Sequence, residues 1–162
     1  MARLVFGRWP ASLALITVHF GENMRKILVS LKEGATLPVK KSATAAGFDL
    51  SVSKNVCLYE GSSALVETGV SMAIPAGYYG QVSLRSGLWK EGIIMPNGVG
   101  VIDSDYRGEI KIPVLCVFGK FEASAGDRIA QIVILRIDEC EMELGSLDDT
   151  ERGSGGFGHT GR

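Results

Sequence analysis

Asp103 and Tyr106 stand in a stretch that can do chemistry, Asn97-Gly-Val-Gly-Val-Ile-Asp-Ser-Asp-Tyr-Arg-Gly-Glu109. A positioned carboxylate can take a proton from water. Gly98 and Gly100 permit backbone conformations that a side chain would forbid, and Val99, Val101 and Ile102 favour a pleated strand. Asp103-Ser104-Asp105 turns the chain, and Gly108 releases it toward the next strand. The pattern predicts a β-hairpin whose open end presents bare backbone N–H and C=O groups. Such a slot can read the polar edge of a flat heterocycle. An ordinary solvated hairpin with an Asx turn has the same spacing.

Other segments offer polar groups of a different kind. Leu84-Arg-Ser-Gly-Leu88 sets a guanidinium, a hydroxyl and a glycine N–H in succession at the start of a predicted helical turn. Exposed N–H groups there favour anions, and Arg85 can grip phosphate oxygens in bidentate fashion. The same residues also suit a plain N-cap beside a surface arginine. Gln131 interrupts an apolar strand in Gly126-Asp-Arg-Ile-Ala-Gln131, where its amide either faces a ligand or pairs with backbone. Asp49 follows a glycine in Ala45-Ala-Gly-Phe-Asp-Leu50, a position that also suits a solvated or turn-capping aspartate. The tail Arg152-Gly-Ser-Gly-Gly-Phe-Gly158 cannot build a core, and ordering it costs roughly 1–2 kcal/mol per residue. It reads either as a disordered terminus or as a lid, with Arg152 on phosphate, glycines wrapping, and Phe157 stacked on a planar ring.

The elements that must hold these groups belong to one domain. The chain has 162 residues, 46% of them hydrophobic, which excludes a disordered protein. With 17 Lys+Arg against 18 Asp+Glu there is no electrostatic case for binding long nucleic acid. Cys57, Cys116 and Cys140 form no C-x-x-C pair, so neither a disulfide framework nor a zinc site is expected, and a reducing cytoplasm fits. The two histidines, His19 and His159, give poor support to a histidine-based metal site or a Ser-His-Asp triad.

Residues 1–23 differ in character from residues 24–162. Their apolar run is far short of the ~20 residues that cross a bilayer, and no cleavage site comes after it. With Met24 as a natural start, residues 1–23 are expected to be a non-native or disordered leader, 24–145 the domain, and 146–162 a flexible lid. Short strands are expected at 26–31, 47–52, 55–60, 64–74, 78–85, 93–96, 99–102, 108–118, 129–137 and 139–144, with one helical turn around Ser86–Glu91. Many short strands cut by Gly and Pro signals predict an all-β barrel or sandwich of antiparallel strands. Residues 110–118 and 129–135 are apolar on both faces and need cover on both. A small barrel has one interior, so a homo-oligomer is expected, a two-layer sandwich with a covering loop being the other solution.

Five segments, AAGFDL, LRSGL, NGVGVIDSDYRGE, GDRIAQ and RGSGGFGHTG, come in the order found in the trimeric dUTPase family, which this sequence resembles over residues 26–162. The resemblance implies a jelly-roll-like β subunit, a homotrimer with three shared active sites, and Mg²⁺-assisted hydrolysis of dUTP to dUMP and pyrophosphate. That reaction limits uracil incorporation into DNA and supplies dUMP. Carried over, Asp103 is the general base that activates water for attack on the α-phosphorus. Gly100, Val101 and the Asn97 amide read uracil, and Tyr106 packs under the deoxyribose and excludes a 2′-OH. Arg85, Ser86, Gly87 and Gln131 hold the phosphates, and Asp49 meets Mg²⁺ through water. From the tail, Arg152 holds the γ-phosphate while Gly156 and Phe157 close over the substrate. Trp89-Lys90-Glu91 departs from the family pattern and puts the local helical turn in question. A dCTP deaminase shares this fold but needs a glutamate placed for deamination and normally lacks the hairpin and tail. A non-catalytic nucleotide-sensing protein is the alternative of another class.

Overall fold

The computed structural model describes residues 13–20 and 23–156. Among them lie twelve strands and a single 3₁₀ turn, with antiparallel pairing throughout. In order the strands are β1 (Leu13–Phe20), β2 (Asn23–Leu31), β3 (Phe48–Ser51), β4 (Val56–Tyr59), β5 (Ser63–Glu67) and β6 (Val70–Ala73). They continue as β7 (Tyr78–Leu84), β8 (Ile93–Ile94), β9 (Gly100–Ile102), β10 (Lys111–Cys116), β11 (Lys120–Ala123) and β12 (Arg128–Arg136). The turn is Leu88–Glu91. It forms despite Trp89-Lys90-Glu91, closing on Gly92 in the left-handed region (φ 75).

Four small sheets build the all-β, jelly-roll-like body: β1-β2-β6, β5-β10-β8, β11-β4 and β3-β12-β7-β9. Alternation decides which faces meet. In β12, Ile132 and Ile134 are buried while Gln131, Val133 and Leu135 are half-buried. In β10, Ile112, Val114 and Cys116 are buried, and Pro113 and Leu115 lie on the half-covered face. These side chains join Ile27, Val29, Leu50, Val52, Val66, Val70, Val82, Ile110 and Phe121 in one core. Leu65, Val101, Val117 and Phe118 stay exposed outside it.

Several elements differ from the sequence expectation. Residues 64–74 make two strands, because Thr68 and Gly69 break the run; Gly69 takes φ 67, and the fully buried Thr68 donates its hydroxyl to the Ile110 carbonyl at 2.6 Å. Residues 139–144 alternate like a strand but form none, and Met142 and Leu144 are fully exposed. Lys120–Ala123 is a strand that was not expected, seated on β4. Strand β2 begins at Asn23, and β1, paired along its length with β2, lies within the stretch read as a leader.

Candidate active site

The segment 97–109 does not fold back on itself as a paired hairpin. Strand β9 pairs with β7, Val101 opposite Gln81, and β10 pairs instead with β5 and β8. Because β9 is the last strand of its sheet, one of its edges carries backbone N–H and C=O groups without a strand partner among the described residues. The expected backbone slot is therefore a sheet edge. Gly100 is tight here: a Cβ on it would come within 3.2 Å of the Val82 Cβ. Asn97 spends its amide donor locally, on the Val99 carbonyl at 3.1 Å.

After β9 the chain turns at Asp103, whose carbonyl accepts the Tyr106 N–H at 3.2 Å. Asp103 is exposed and Tyr106 is 44% exposed. The Tyr106 hydroxyl donates to the Glu109 carbonyl at 3.0 Å. The ring lies so close to Gly108 that a Cβ there would collide with the hydroxyl. Asp103, Tyr106, Val101, Lys32, Glu109 and Lys111 line an open cleft of about 470 Å³.

A second cleft, about 310 Å³, gathers Asp49, Arg85, Ser86 and Gln131 with Lys41, Ser42, Gly47 and Arg128. The sheet register explains the gathering. Gln131 stands opposite Asp49 on one side and Ser83 on the other, so the three share a face. Arg85, two residues beyond Ser83, comes next on that face, its N–H bonded to the Ile129 carbonyl at 2.9 Å. Arg128 joins them through a bulge between Arg128 and Ala130, which shifts the pairing so that Arg128 meets Ser51. Its Nη1 then donates to Asp49 Oδ2 at 2.7 Å, and Arg85 Nε lies 3.5 Å from Asp49 Oδ1. Gly47 leaves room for the Gln131 side chain, since a Cβ would sit 2.8 Å from Gln131 Oε1 and 3.2 Å from its Cβ and would push the amide aside. With Lys41, Arg85 and Arg128 against one carboxylate, this cleft keeps net positive charge and suits a polyanion.

The structure thus divides the expected site residues in two. Arg85, Ser86, Gln131 and Asp49 meet in the cationic cleft, while Val101, Asp103 and Tyr106 line the other. Gly87 caps the 3₁₀ turn without lining either cleft. Arg152 and Gly156 are exposed in the tail and line neither cleft, and Phe157 lies outside the described residues. Arg128, Lys41, Gly47, Lys32 and Glu109 were not singled out from the sequence. Arg128 carried a signal, a cation within Gly126-Asp-Arg-Ile-Ala-Gln131, but the bulge that aims it is invisible to residue counting.

No group of three or more His, Cys, Asp or Glu side chains among the described residues is arranged to cage a metal. The Asp49 oxygens each face a guanidinium yet keep lone-pair capacity for water. That donor set suits Mg²⁺, which retains much of its water shell and binds through few carboxylates and substrate phosphates.

The all-β body has the architecture seen in several solved structures. The dUTPase of Staphylococcus bacteriophage 80alpha, solved with dUpNHpp, superposes with a TM-score of 0.78 at 26% identity, covering 84% of this chain and 98% of that one. A phage phi11 dUTPase of S. aureus, described with a structural Mg(II) ion, matches with a TM-score of 0.70 at 25% identity over 75% of this chain and 97% of that one. By sequence, the deoxyuridine 5′-triphosphate nucleotidohydrolase of Mus musculus is 48% identical over 83% of both chains. That of Wolinella succinogenes is 44% identical over 87% of this chain and 97% of its own length. The dUTPase family profile matches residues 33–161. This chain belongs to the dUTPase family.

Proposed function

We propose that the dUTP diphosphatase reaction of this chain runs by water attack on the α-phosphorus, at sites each completed by more than one copy of the chain. The observation that carries this reading is the separation of the two clefts. The proton acceptor Asp103 and the phosphate-suited residues Arg85, Ser86 and Gln131 line different clefts of one subunit. A second copy brings one cleft's residues to the other. Exposed Leu65, Val101, Val117 and Phe118 give such copies apolar surface to bury. A homotrimer, each copy supplying one part to the next, closes this arrangement by rotation.

Within such a site Asp103 takes a proton from the attacking water. The free edge of β9 at Gly100 and Val101, with Asn97 beside it, hydrogen-bonds the uracil edge. Sterics at that edge reject thymine's methyl, and cytosine fails because its exocyclic donor meets a donor. Tyr106 packs under the deoxyribose and leaves no room for a 2′-OH. Arg85, Ser86, the Gly87 N–H and Gln131 hold the phosphates, and Arg128 fixes Asp49 among them. Mg²⁺ carried on those phosphates, with Asp49 reaching it through water, would neutralise charge that develops on the leaving pyrophosphate. Arg152, Gly156 and Phe157 close the site as a lid, Arg152 on the γ-phosphate and Phe157 over the base. Three free cysteines, Cys57, Cys116 and Cys140, suit a reducing, cytoplasmic setting.

A screen of pyrophosphate release over the deoxynucleoside triphosphates with Mg²⁺ tests the reading. Release from dUTP with little from dCTP, dTTP or UTP is the expected result. Conversion of dCTP to dUTP would favour the deaminase reading, and nucleotide binding without turnover would favour a sensor.

A further inference from the structure

We infer that the Glu109 carboxylate is a positioning group for the Asp103–Gly108 turn, a latch that sets where the Tyr106 ring and the Asp103 carboxylate stand. The inference rests on the proposed role of Tyr106 at the sugar. Glu109 comes directly after an exposed turn, yet its side chain is only 6% exposed. A carboxylate so placed needs partners, and it has two. Gly69 donates its N–H at 2.8 Å and Lys32 Nζ donates at 2.8 Å.

The anchor point is firm. Gly69 takes φ 67, and a Cβ on it would fall 2.6 Å from the Ala35 Cβ, so the position calls for glycine, and its carbonyl accepts the Lys32 N–H at 2.8 Å. Beside it, the Ile110 N–H donates to the Val70 carbonyl at 2.8 Å, and Thr68 Oγ1 donates to the Ile110 carbonyl at 2.6 Å. The exit of the turn is therefore fastened to the break between β5 and β6. Its entry is fastened by β9 on β7. Tyr106 is tied to the same fastening, because its hydroxyl donates to the Glu109 carbonyl across Gly108. A carboxylate is suited to this post because it accepts from a backbone N–H and an ammonium together.

A merely structural acid would change stability and leave substrate choice alone. A latch changes the choice between dUTP and UTP. The test compares kcat/KM for the two nucleotides in wild type, Glu109→Ala, Glu109→Gln, Lys32→Met and Tyr106→Ala, with thermal midpoints for each. Glu109→Ala should reduce the dUTP preference about tenfold, toward that of Tyr106→Ala. Glu109→Gln, which still accepts from Gly69, should stay within about threefold of wild type, and the Ala/Ala double variant should lose little beyond Tyr106→Ala alone. An unchanged preference in Glu109→Ala, with Tyr106→Ala impaired, overturns the latch and leaves the proposed function standing. An unchanged preference in Tyr106→Ala removes Tyr106 from the sugar, and the latch inference falls with it. If Glu109→Ala does not fold, Glu109→Ser, which is polar but too short to reach the Gly69 N–H, decides: a severalfold loss of preference beyond that of Lys32→Met supports the latch, and none overturns it.

Discussion

Arg128 Nη1 meets Asp49 Oδ2 at 2.7 Å, joining the ends of two strands whose residues are 79 apart in sequence. Asp49 is largely buried, at 15% side-chain exposure, and Arg128 is about one-third exposed, at 36%. The pair leaves Arg85 in the longer contact with the same carboxylate and free to turn toward an anion. Replacing Arg128 by Met should therefore let Asp49 capture Arg85 more tightly. We expect KM for dUTP to rise about tenfold, with roughly 1–2 kcal/mol of stability lost, since a half-screened pair is worth less than a fully buried one. Steady-state kinetics with a denaturant titration checks both; an unchanged KM would mean that Arg128 plays no part in the proposed phosphate binding.

Asp103→Asn keeps the shape of the turn and removes the proton acceptor. Nucleotide affinity should be preserved while turnover falls by about 10²–10⁴. Single-turnover kinetics beside equilibrium binding of a non-hydrolysable dUTP analogue separates the two effects. Near-normal turnover would mean that another group accepts the proton.

Much of the fold could be read from residue types, and the exceptions have specific causes. Strands β3, β4, β7, β9 and β12 fall where short apolar or alternating runs meet turn signals. Residues 139–144 alternate just as well, with Cys140, Met142 and Leu144 on one side, yet find no partner strand among the described residues. Alternation states a preference, and a neighbour must satisfy it. Strand β9 shows the same dependence on neighbours: its hairpin spacing points to β10, while the sheet supplies β7. Strand β11 did carry a signal, Phe121 and Ala123 alternating with charge, but is only four residues long. The cationic cleft was half legible. Arg85, Ser86, Gln131 and Asp49 could be singled out one by one, whereas Arg128 needed a bulge and Gly47 needed the position of the Gln131 side chain.

Acid sensitivity arises from two glutamates. Hydrogen bonds from Lys54 and then Lys111 hold the Glu67 carboxyl down at about 2, from an ordinary 4.5. For Glu109, burial alone would raise the carboxyl, but the Lys32 and Gly69 hydrogen bonds and the Lys32 charge together keep it below its ordinary value. A depressed folded-state pKa stabilises the protein above the unfolded value and loses that effect as pH falls through the folded one. Glu67→Gln should therefore lower the thermal midpoint at neutral pH. The gap to wild type should narrow only below pH 4.5, closing toward about 2. A gap that is already closed at neutral pH would show that the two lysines do not stabilise Glu67 in solution.

The most direct test of the shared site is complementation between two inactive chains, Asp103→Asn with its tail intact and a chain ending at Gly145 with Asp103 intact. Each homotrimer lacks one essential part at every site. Co-refolding equal amounts gives roughly three quarters mixed trimers, and cyclic symmetry gives each of these one complete site in three. The account predicts recovery of roughly one quarter of wild-type activity on that arithmetic. Mixed trimers that contain both chains and remain inactive would contradict it, and would place the base and the tail of each site on the same subunit.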